Sequence, residues 1–79
     1  MAGVTYEMRG KAVVITNDDT GGTAAFDYEN LQLAIDNRIK NREHYRTDEA
    51  WRKDLAIYRG AMAYLREHLT VADVLEATP

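Results

Sequence analysis

The 79-residue sequence has no cysteine and no serine, and only one proline, one tryptophan and one phenylalanine. Without cysteine there is neither a disulfide framework nor a thiolate metal site, which fits a reducing compartment. Without serine or cysteine, no Ser/His/Asp or Cys/His arrangement can be assembled, and no threonine stands beside a suitable base. The two histidines, His44 and His68, have no partner at metal-ligand spacing. His68 reads as a half-buried structural residue, and His44 as a solvated residue favoured by a helix C-terminus. No enzyme, metal or cofactor is expected. Apolar runs are too short to cross a bilayer, and the start MAGVTYEMRG lacks the apolar centre of a signal peptide. The expected address is cytoplasmic, with no membrane contact.

What is present is 46% hydrophobic and 29% charged, an ordinary globular composition that argues for one domain, 1–79. Such a short chain buries only roughly 60% of the surface exposed by its unfolded form, so its core is thin. The net charge of −3 conceals a pattern. Residues 36–66 carry eight basic and five acidic side chains, whereas the segments on either side are acidic. A sequence-independent nucleic-acid binder shows a broad excess of cations; here the excess is local.

The fold class expected is α+β. Residues 3–16 alternate with period two around Arg9-Gly10-Lys11, placing Val4, Tyr6, Met8, Val13 and Ile15 on one face of a β-hairpin. The two-residue loop is either Arg9-Gly10 or Gly10-Lys11, the latter putting glycine where a type II′ turn requires it. NDDTGG, residues 17–22, is rich in turn formers, and TAAF reads as a third strand with Ala24 and Phe26 inward. Asn17 and Asp19 resemble the first ligands of a calcium loop, but Gly21 stands at the third and Tyr28 where a bidentate acid belongs. Nor do the two glycines fit a phosphate-cradling loop.

Asp27 reads as the N-cap of a helix over about 28–45, and Thr47 opens a second over about 48–69. The two are expected to form an antiparallel hairpin. Thr70 with Asp73 is a short capping box for a C-terminal helix over 71–77, stapled by Leu69 and Val74. In the second helix Trp51, Leu55, Tyr58, Met62, Leu65 and Leu69 step by four and three, the seam of a helix packed on a helix. Beside it runs a second apolar row through Ala50, Ile57, Ala61 and Tyr64. That row is expected either to cover the sheet or, with the mid-helix Gly60, to form a homodimer surface through Ile57, Gly60, Ala61 and Tyr64.

Charges recur at intervals of seven: Glu29, Asp36 and Glu43 on the first helix, and Arg52, Arg59 and Arg66 on the second. An antiparallel pair brings them into an interhelical ladder, Glu43 with Arg52, Asp36 with Arg59 and Glu29 with Arg66. RIKNREHYR, residues 38–46, breaks the first helix's apolar stripe with Arg38 and Arg42. Two readings follow. The aliphatic stems lie over the core edge while the guanidinium groups reach water, Asp48 or Asp54. Alternatively, Arg38, Lys40, Arg42, Tyr45 and Arg46 form a partner-binding patch for anionic groups.

The functional expectation is a non-catalytic protein-binding module that covers a surface on a larger protein or nucleoprotein complex. The alternative is a small nucleic-acid-binding module using the basic 38–46 segment. In general character (short, acidic, without active-site residues, richly patterned for packing) the chain resembles the small proteins that phages and mobile elements encode to block host machinery, anti-CRISPR proteins among them. That resemblance implies inhibition by steric occlusion, with acids such as Asp18, Asp19, Asp73 and Glu76 addressing a basic groove or the arginine patch an acidic one.

Overall fold

A computed structural model describes residues 3–70, 72, 73 and 75. Strands β1 (Val4–Arg9), β2 (Ala12–Asn17) and β3 (Thr23–Phe26) precede helix α1 (Tyr28–Lys40), a 3-10 turn (Arg42–His44) and helix α2 (Asp48–His68). The sheet is antiparallel in the order β1-β2-β3. Tyr6 pairs with Ile15, and Met8 with Val13. Val13 pairs in turn with Phe26, and Ile15 with Ala24, so the expected inner face is the observed one. Arg9 opposite Ala12 leaves Gly10-Lys11 as the loop. Gly10 has φ +62° while no non-glycine residue among those described has positive φ, the signature of a type II′ turn.

The inner face and both helices share one apolar cluster centred on Val13, Leu31 and Leu65, all fully buried. Leu55, Met62 and Leu65 of α2 meet Leu31 and Ile35 of α1, so the four-three seam is the helix-helix contact. Val14 is also buried, though it lies on the opposite sheet face and outside that cluster. The second row of α2 lies against β1 within the chain. Tyr6 donates its hydroxyl hydrogen to the Ile57 carbonyl at 2.8 Å and stacks obliquely on Tyr64 at 5.8 Å, and Ala61 is fully buried. A Cβ on Gly60 would lie 2.5 Å from the Tyr6 hydroxyl. The residues read as a dimer surface, Ile57, Gly60, Ala61 and Tyr64, are thus occupied by the protein's own sheet, and the close approach at Gly60 is made by Tyr6.

Both helix starts are capped as expected. Asp27 accepts from the Asn30 amide at 2.8 Å, and Thr47 from the Ala50 amide at 3.0 Å. The end of α1 departs from the expected 45: the helix stops at Lys40, capped by Asn41. The Arg38 carbonyl, one of the last-turn acceptors, takes the Trp51 indole N–H at 2.8 Å, so the turn begins early enough for Trp51 to reach it. At the far end Arg66 donates to the Tyr28 hydroxyl at 3.0 Å. These two bonds clasp the hairpin at both ends. Thr70 and Asp73 exchange hydrogen bonds at 3.0 and 3.1 Å as a capping box, but most of the helix read over 71–77, and Val74 of the staple, lies outside the described residues. No described helix is long and apolar enough to cross a membrane.

Candidate functional site

The segment 38–46 forms the tip of the helical hairpin: the last turn of α1, the 3-10 turn and the approach to α2. Its backbone is tied by Asn41 N–H to Asn37 O, His44 N–H to Asn41 O and Tyr45 N–H to Arg42 O, at 2.9, 3.0 and 3.2 Å. Of the five predicted patch residues, three are engaged. Arg38 Nε donates to Asp54 Oδ2 at 2.9 Å and Nη1 to the Ala34 carbonyl at 3.0 Å, with its guanidinium 3.6 Å from the Tyr58 ring centroid. Tyr45 donates its hydroxyl to the same Asp54 oxygen at 2.5 Å. Arg42 forms a forked pair with Asp48, Nε to Oδ1 at 3.1 Å and Nη2 to Oδ2 at 2.8 Å, and lies 4.7 Å from the Trp51 ring centroid.

The guanidinium groups of Arg38 and Arg42 therefore lie over the Tyr58 and Trp51 rings, and Asp54 and Asp48 take their charges. The two pairs differ in setting. Arg38 and Asp54 are largely covered, whereas Arg42 and Asp48 are mainly solvent-facing. Arg42's hydrogen bonds hold the Asp48 carboxyl below its ordinary 3.8. Tyr45's bond to Asp54, followed by burial, raises its hydroxyl above 10.0. Lys40 and Arg46 are exposed and have no hydrogen-bonding or ionic partner among the described residues. Asn37, Arg38, Asn41, His44 and Tyr45 line a shallow groove of about 280 Å³.

The heptad ladder does not form within the chain. Among the described residues the ion pairs are Lys11–Asp73, Arg38–Asp54, Arg42–Asp48 and Glu49–Lys53. Asp36 accepts from Gln32 instead, at 3.2 Å. The reason is rotational: at 3.6 residues per turn the acid row sits about 130° around α1 from Leu31 and Ile35, turned outward rather than toward α2. Glu43 has left the helix altogether for the 3-10 turn.

A second concavity of about 210 Å³ lies between the β2–β3 loop and α2, with Ile15, Ala24 and Ile57 below and Asn17, Thr20 and Asp54 at its edge. His68 is exposed, its ring stacked on Tyr64 at 4.2 Å, a contact within α2. Among the described residues no group of three or more His, Cys, Asp or Glu side chains is placed to hold a metal ion. No family model, no curated protein and no solved structure matches the chain.

Proposed function

We propose that the chain is a non-catalytic protein-binding module, with the hairpin tip as its contact and a larger protein or nucleoprotein complex bearing an acidic surface as its partner. The observation that supports this reading is the pairing at the tip. Arg38 and Arg42 are held by Asp54 and Asp48, which stiffens the segment, while Lys40 and Arg46 stand exposed without an acid. A fixed backbone presenting free cations loses little freedom on binding. Arg42 borders this surface, its pair with Asp48 open to water. Binding would act by occlusion, as in the small host-blocking proteins that the chain resembles in character, in a reducing, cytoplasmic setting.

The test is capture with the intact chain against Lys40→Glu, Arg46→Glu. Both side chains are solvent-facing, so the variant should keep its circular dichroism spectrum and melting temperature. Partners retained by the parent and lost by the variant support the reading; equal retention refutes the tip. Retention of RNA or DNA instead, weakening steeply between about 50 and 200 mM salt, would transfer the same surface to nucleic acid.

A further inference from the structure

We propose that the face of the helical hairpin turned away from the sheet is a self-complementary docking surface for a second copy of this chain. Beside the two unpaired charge rows lie residues that complete a second seam. On α1 the strip reads Glu29, Gln32, Asp36, Ile39, stepping by three, four and three; on α2 it reads Arg52, Ala56, Arg59, Ala63, Arg66, stepping by four and three. These are heptad spacings, distinct from the buried seam through Leu55, Met62 and Leu65.

The strips match in reverse order. Each acid has an arginine at the corresponding level, and the larger Gln32 and Ile39 come level with Ala63 and Ala56. Ala56 and Ala63 are exposed, and Ile39, at 45%, is among the few large apolar side chains left open. At the height where Ile39 of a second copy would arrive, Trp51, Leu55 and Ala56 line a groove flanked by Arg52 and Arg59. Glu29, Glu43, Arg52 and Arg59 make no hydrogen bond or ion pair among the described residues.

The fold places both strips on one side. The row that meets β1, Ile57, Ala61 and Tyr64, lies about 160° around α2 from the arginines. The acids are rotated from α1's buried stripe in the same sense as the arginines are from α2's, which in an antiparallel pair puts both on the sheet-distal face. A two-fold axis parallel to the helices then sets α1 of one copy against α2 of the other. The levels are kept, so Asp36 meets Arg59 and Glu29 meets Arg66 of the other copy, each twice. The result is an antiparallel four-helix layer with a sheet on each outer side. Rotating about the perpendicular in-plane axis would oppose like charges, so the pattern selects one dimer. Two helices of about 20 and 30 Å side by side cover about 600 Å² per copy, the low end for a specific interface, and its rungs are screened by salt.

Sedimentation equilibrium of the full chain tests this. At about 200 µM chain and about 20 mM NaCl the mass should approach twice the 9.0 kDa of one chain, and in about 500 mM NaCl the dissociation constant should rise at least about tenfold. Arg52→Glu, Arg59→Glu and, separately, Glu29→Lys, Asp36→Lys should each be monomeric and helical, because the parent side chains support no bond across the hairpin. Mixed in equal amounts, the two variants should form a one-to-one heterodimer. A charge-independent readout is the exposed pair Ile39→Cys, Ala56→Cys, which on oxidation should link two copies. Monomeric parent protein at low salt, folded variants that stay apart when mixed, or a cysteine variant that closes only within one chain would each overturn the proposal.

Discussion

Tyr6 of β1 rests its hydroxyl where a Cβ on Gly60 would be, 2.5 Å from that position, and from there donates to the Ile57 carbonyl. An edge strand thus hydrogen-bonds the middle of a helix fifty-one residues away in the chain. Glycine is the residue that permits it.

The contact sets the sign of a substitution. Glycine in a helix interior costs about 1 kcal/mol relative to alanine, so Gly60→Ala would ordinarily stabilise α2. Here the methyl group displaces the hydroxyl and breaks a bond worth about 0.5–1.5 kcal/mol, with crowding added. We expect Gly60→Ala to bring none of that gain, leaving stability unchanged or lower by up to about 1 kcal/mol in denaturant titration, and the same change made on Tyr6→Phe to be neutral or stabilising. A stabilising effect in the parent background would show that Tyr6 moves aside freely.

Asp54 should matter more than Asp48. Asp54 takes both Arg38 Nε and the Tyr45 hydroxyl in a largely covered site. Its replacement by alanine strands a guanidinium against Tyr58, for a loss of about 1–3 kcal/mol. Asp48→Ala removes only a water-facing partner of Arg42 and should barely shift the denaturation midpoint. Equal losses for the two would contradict this division.

Alkali should weaken the fold before it ionises an exposed tyrosine fully. Tyr45 is raised above 10.0 by its bond to Asp54, and Tyr6 by burial. A raised acid in the folded state means that the unfolded chain gives up its proton first. The stability contributed is complete below pH 10 and disappears as pH climbs through the folded values. Tyr45→Phe and Tyr6→Phe should each flatten that decline, read by melting temperature across the alkaline range.

Acid acts in the opposite sense. Asp48 is lowered chiefly by the side-chain hydrogen bond from Arg42, and Asp73 by the Thr70 amide, then the Thr70 hydroxyl and Lys11. Their contributions are present above the ordinary 3.8 and fall away as pH drops through the lowered values. Asp73→Asn should make melting temperature less sensitive to pH below 3.8, and a slope identical to the parent's would remove the capping box from the account.

Much of the fold was legible because strand alternation and helix seams are local patterns. The inner-face residues of the hairpin, the glycine turn and the caps at Asp27 and Thr47 all follow from neighbours in sequence. The end of α1 was not legible: nothing between 40 and 45 is a strong breaker, and the helix yields to the indole of Trp51, a tertiary partner. The ladder failed because matching numbers fix level along the axes but leave rotation around them open. The fate of Arg38 and Arg42 was narrowed to two readings, both naming the right side chains. Only the packing of α2 showed that Asp54 and Asp48 take these charges. Gly60 offered only its oddity, since Tyr6 lies too far away in sequence to be paired with it.

The clasp between Trp51 and the Arg38 carbonyl has an optical consequence. The chain's single indole sits at the hinge where the helices fold back, with its N–H tied and a guanidinium near its ring. Its emission therefore reports on that hinge alone, without a label. Opening of the two helices should be visible as a red shift even while the strands stay paired.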